Sequence, residues 1–131
     1  MRIRPDTLAI LELARDTLRE EYREESYEER RYETLMIVNA VNIATRQFEF
    51  GMTPETEEFQ ELSKLLSLSI PSKYNLRKEL GGLLAKISQD IRCGKFDPGC
   101  PQHKNLLRIL KSAAHQLVME YNPRYLAGPN G

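Results

Sequence analysis

From Tyr32 to Phe50 the chain carries a helix-length segment that is apolar on nearly every side yet holds Asn39 and Arg46 within its main apolar face. At about 100° per residue, Tyr32, Met36, Asn39, Ile43, Arg46 and Phe50 share an arc of roughly 80°, while Ile37, Val41, Ala44 and Phe48 populate the opposite side. A helix apolar all round belongs at the centre of a fold. Arg46 cannot shed its charge, and a buried unpaired ion costs on the order of several kcal/mol. The protein or a partner must therefore satisfy that guanidinium.

Around this segment the spacing predicts further helices. Pro5 suits a first helical position, and Leu8, Leu11, Ala14, Leu18 and Tyr22 then recur at helical intervals. Residues 19–33 are a dense run of Arg and Glu with opposite charges three or four apart, the pattern of a solvated face. The second helix runs from about Glu28 to Phe50 and stops at Gly51. Thr53-Pro54-Glu55 reads as an N-cap, a first-position proline and a first-turn acid, opening a third helix that buries Phe59, Leu62, Leu65 and Leu66 before Pro71. Leu76, Leu80, Leu83, Leu84, Ile87 and Ile91 form an amphipathic stripe closing at Gly94. A last helix follows Cys100-Pro101, with Leu106, Leu110, Ala113, Leu117 and Tyr121 on one side, and ends at Asn122-Pro123. Two-residue alternation is never sustained, which excludes a sheet. The expected fold is all-α, a single domain over residues 1–131 of about five helices, with the second buried at the centre and residues 126–131 frayed.

Charge and hydropathy narrow the function. The net charge is zero, removing the global attraction to nucleic acid or an anionic membrane. The halves differ: residues 1–71 hold nine basic and fifteen acidic side chains, residues 72–131 ten and four. Either the halves attract each other on folding or the basic half offers a face to a phosphate-bearing ligand. The longest apolar run, Leu35 to Val38, is too short for a membrane span, and Met1-Arg2-Ile3-Arg4-Pro5-Asp6 does not resemble a signal peptide. The expected location is the cytoplasm.

Three clusters are candidate sites. Asn39, Asn42 and Arg46 share one side of the second helix. They form either a polar clasp, with Arg46 reaching a carboxylate such as Asp90 or Glu120 or the C-terminal carbonyls of a neighbouring helix, or a pocket in which Arg46 meets a ligand's carboxylate or phosphate. At the start of the fourth helix Lys73, Arg77 and Lys78 oppose the macrodipole. Together with the helix N–H groups they would suit an anion, unless Ser72 or Asn75 caps the helix or the cations answer the acidic first half. Asn122-Pro123-Arg124-Tyr125 predicts a turn folding Tyr125 and Leu126 back onto the body. Its letters also match the Asn-Pro-x-Tyr peptide motif.

Cys93, Cys100 and His103 spell Cys-x6-Cys-x2-His but lack a fourth ligand at a recognised spacing, so free thiols are expected and no metal. No nucleophile constellation, glycine-rich phosphate loop or bundle metal spacing is present in the pattern. Neither catalysis nor a cofactor is indicated.

Arg4-Pro5-Asp6, Asn39 with Arg46 and Gly51, Ile91-Arg92 with Gly94, and Asn122-Pro123-Arg124-Tyr125, in that order and spacing, resemble a bacterial domain-of-unknown-function family of small helical proteins. The resemblance spans nearly the whole chain. Members are typically encoded beside acyl-CoA dehydrogenases and kinases of the aminoglycoside-phosphotransferase type. The family pattern usually reads Arg-Glu-Leu where Arg46-Gln47-Phe48 stands, and often has a basic residue at the position of Leu35. It carries no catalytic residues across. It implies a non-catalytic accessory protein whose partner is such a dehydrogenase or kinase-like neighbour. The alternative is a small helical binder or enzyme for a CoA-like or other phosphorylated ligand, acting through Arg46, Lys73, Arg77 and Lys78. Oligomeric state is left open.

Overall fold

The structure, a computed structural model, describes residues 6–20 and 27–128, without the side chains of residues 19, 20 and 27. The expected proline start at Pro5, and much of the Arg/Glu run, lie outside the described residues. The described residues form five helices, α1 (Thr7–Glu20), α2 (Tyr27–Phe50), α3 (Thr53–Leu65), α4 (Leu76–Arg92) and α5 (His103–Tyr121), followed by a 3-10 turn at Pro123–Tyr125. No strand occurs among the described residues. The protein is all-α.

The chain forms two compact units. Residues Met52–Met119 make the first, in which α3, α4 and most of α5 enclose Phe59, Leu62, Leu65, Leu80, Leu83, Ile87, Leu106 and Ile109. These are the i, i+3, i+4 positions of the three helices, so burying one stripe from each makes the core. Phe96, from the connection after α4, completes it, and Tyr74 stacks on Phe59 at 5.0 Å between ring centres. Two polar links fix α5 and the residue that precedes it against α3: Arg108 Nη2 donates to Glu61 Oε2 at 2.6 Å, and Gln102 Nε2 donates to Leu65 O at 3.0 Å. As the number rises on α3 it falls on α5, so the two helices run antiparallel.

Local chemistry sets the helix ends. Met52, not Thr53, is the N-cap of α3, placing Thr53 and Pro54 in the first turn. Asn75 is the N-cap of α4, its Oδ1 accepting from Lys78 N at 3.1 Å. α4 closes in a Schellman motif: Lys95 N donates to Asp90 O and Gly94 N to Ile91 O, with Gly94 at φ +75°. α3 closes identically, but ahead of Pro71 and with a serine in the left-handed position: Leu68 N donates to Ser63 O, and Ser67 has φ 54°.

The second unit comprises Arg2–Gly51 with Glu120–Gly131. Asp6 caps α1, its Oδ1 accepting from Ala9 N at 3.1 Å, and α1 packs along α2. The start of α1 meets the end of α2 through Thr7 and Gln47, so the pair is an antiparallel hairpin. Here the expectation of a buried central second helix is corrected: among the described side chains of α2 only Ile37, Ala44 and Gln47 are buried, while Tyr32, Leu35, Met36, Val38, Val41 and Phe48 are exposed. One helix partner covers one face, and an all-round apolar pattern does not say which arc that is.

Candidate functional site

Arg46 lies one turn from the end of α2 and is half-buried. Its Nε donates to Glu120 O at 2.5 Å and its Nη2 to Tyr121 O at 3.4 Å. These are carbonyls of the last turn of α5, where a helix has no further N–H groups to offer and carries partial negative charge. Asn122-Pro123 turns the chain away at that point, so the guanidinium supplies donors that the backbone cannot.

Gln47 extends the clasp. It is 1% exposed; Thr7 Oγ1 donates to its Oε1 at 2.7 Å, and its Nε2 donates to Tyr121 Oη at 3.4 Å. Thr7, Arg46, Gln47 and Tyr121 thereby tie the start of α1, the end of α2 and the end of α5 together. Sequence reasoning did not single out Gln47: it falls one turn beyond Ala44, and the pattern does not say that this arc of α2 is the covered one.

The structure does not assemble the other residues expected beside Arg46. Asn39 and Asn42 are exposed. Glu120 is buried, but Arg46 engages its main-chain carbonyl. Asp90 belongs to the first unit. Its carboxylate sits on the last turn of α4, one residue of the closing motif, and Lys95 Nζ reaches its Oδ1 at 2.5 Å. The hydrogen bond and charge of Asp90 raise the Lys95 pKa. The Nε/Nη2 edge of Arg46, one of the two edges that could grip a ligand carboxylate bidentately, is directed at carbonyls.

At the start of α4, Ser72, Lys73, Asn75, Arg77 and Lys78 are all exposed, and one of the N–H groups an anion would use is satisfied by Asn75. The turn at Asn122, Pro123, Arg124 and Tyr125 is a 3-10 turn with Tyr125 N donating to Asn122 O and Leu126 N to Pro123 O. It does not return Tyr125 to the body: that ring is 77% exposed, because the 3-10 geometry points it outward, and Leu126 is exposed too. Cys93 and Cys100 are free thiols. His103 Nδ1 donates to Phe96 O at 2.7 Å, which fixes the loop between α4 and α5. Among the described residues no three His, Cys, Asp or Glu groups converge as metal ligands, and no helix is long and apolar enough to cross a membrane. Two acids of α3, Glu55 and Glu58, are buried, which the first-turn reading of Glu55 missed.

Residues 24–125 match the family described as "Domain of unknown function (DUF6285)". The chain belongs to that family. Comparison with curated proteins and with solved structures gave no match.

Proposed function

We propose that this DUF6285 member is a non-catalytic accessory domain of the bacterial cytoplasm that binds an enzyme of acyl-CoA metabolism, either the acyl-CoA dehydrogenase or the kinase-like protein that accompanies such domains. The observation that carries the reading is the division of labour on α2. Arg46, the cation set within its apolar stretch, is taken up by the last carbonyls of α5, whereas Tyr32, Leu35 and Met36 lie exposed on the same edge of the helix, Tyr32 at 65%. Exposed apolar residues grouped on a helix favour a protein partner over a small polar ligand. The unconfined Asn39 and Asn42 beside them supply the polar rim such a contact uses.

The chain and its neighbouring dehydrogenase, purified separately and mixed, are expected to co-elute as one complex, and Leu35→Asp is expected to abolish co-elution. Independent elution of both candidate partners would refute the reading. CoA esters and nucleotides are expected to leave the melting temperature unchanged, since a ligand at 100-fold its dissociation constant would add about 2.7 kcal/mol. A clear shift with a CoA ester would favour the anionic-ligand alternative instead.

A further inference from the structure

The α1–α2 hairpin carries a second face that is largely apolar, with exposed Arg15 and Arg30 the cations on it. On α1, Ile10 and Ala14 form the buried arc, and Leu8, Leu11 and Leu18 form another about 80° wide next to it, all three exposed. On α2, Ile37 and Ala44 are covered, while Thr34, Val38, Val41, Thr45 and Phe48 share an adjacent arc of roughly 80°. Phe48 is 83% exposed and Val41 40%. In an antiparallel pair of right-handed helices, rotating from the contact line in the sense of increasing residue angle leads to the same side of the pair on both helices. Both second arcs lie in that sense, so they merge into one face; Arg46 and its clasp lie in the other.

We propose that this face binds a second copy of the chain, hairpin against hairpin, with the two α2 helices antiparallel about a two-fold axis near Val41. The six large apolar side chains leave on the order of 600 Å² per copy accessible, at the top of what a monomer's largest patch shows and close to the roughly 800 Å² per partner of a standard interface. Charge selects the occupant. Arg31 and Glu49 stand at one angle on α2, about five turns apart, on the outer edge of the arc. Both are exposed, and neither is paired among the described residues. A two-fold axis near Val41 brings Arg31 of each copy level with Glu49 of the other, giving two symmetric ion pairs at the rim of an isologous interface.

Sedimentation equilibrium of the full chain tests this. The expected result is a concentration-dependent dimer whose dissociation constant rises roughly 30-fold or more in Phe48→Glu and in Val41→Lys, the loss of a central anchor, with helicity unchanged by circular dichroism. Arg31→Glu is expected to weaken the dimer and the double variant Arg31→Glu/Glu49→Arg to restore it. A monomer at every concentration, a dimer indifferent to Phe48→Glu, or a charge swap without rescue would each overturn the proposal. A monomer that still binds the dehydrogenase would overturn it and leave the proposed function standing.

Discussion

Replacing Arg46 by methionine keeps an apolar stem of similar reach and removes only the charged fork. The short bond from Nε to Glu120 O is a hydrogen bond from a charged donor, worth about 1.5–3 kcal/mol net, and the charge at the end of α5 adds roughly 0.3–1 kcal/mol. The Nη2 contact at 3.4 Å is too long to add much. Because Arg46 is half-buried, water can reach part of the vacated carbonyl edge, which brings the expected loss to about 1–2 kcal/mol. Arg46→Lys should lose roughly half of that, since an ammonium keeps the interaction with the helix end and gives up the planar donor pair. The chain forms two units, so an unfolding midpoint read on the whole chain does not isolate the unit that holds the clasp. Amide hydrogen exchange resolved by residue is the suitable assay. Protection should fall along α1, α2 and the last turn of α5, while Leu62, Leu83 and Ile87 keep theirs. Wild-type protection throughout the Arg46→Met variant would refute the clasp and return Arg46 to the status of a ligand-facing cation.

Ser67 occupies the left-handed C′ position of α3, so Ser67→Gly should stabilise the protein by about 0.5 kcal/mol: relief of roughly 1–2 kcal/mol of backbone strain, less the entropy glycine adds to the unfolded chain. A lowered urea midpoint would contradict this. Gly94→Ala should destabilise by about 1–2 kcal/mol through its positive φ, since the added Cβ meets only the flexible end of Asp97 at 3.0 Å; an unchanged midpoint would count against a strained closing motif. The hydrogen bonds from Arg108 and Lys64 lower the Glu61 pKa. Its folded value lies below its unfolded one, so its contribution is present above the ordinary carboxylate range and is lost as the pH falls through the depressed value. An NMR titration should find the Glu61 midpoint below 4.5, and Glu61→Gln should flatten the acid limb of the stability curve slightly, as befits an exposed pair.

The sequence was most legible where one helix face is buried against one core. Leu80, Leu83 and Ile87 on α4, and Phe59, Leu62 and Leu65 on α3, lie where their spacing puts them. Ile109 was missed because Leu110 beside it fits the same stripe, and periodicity alone does not choose between adjacent positions. Phe96 was missed because it enters the core from a connection, which has no period to read. On α2 the pattern misled: several apolar arcs compete on one helix, and only the position of α1 decides that Ile37, Ala44 and Gln47 are the covered ones. A site made of main-chain acceptors was also hidden, since the carbonyls of Glu120 and Tyr121 have no signature in side-chain identity.

Several of the chain's polar residues, three of them candidates for an active site, do their work at helix ends. Arg46 satisfies the last carbonyls of α5, Gln102 does the same for Leu65 at the end of α3, Asn75 caps the start of α4, and Asp90 helps close its far end with Lys95. Each answers a deficit that any helix terminus creates, whatever the protein's function. The Tyr32 edge and the Phe48 face answer no such deficit within the chain, and leaving them in water forgoes about 25 cal/mol for every Å² that burial would cover. At 83% exposure Phe48 would recover that gain in the proposed dimer, and the charge-swap rescue at Arg31 and Glu49 is the measurement that separates a copy of this chain from any other cover.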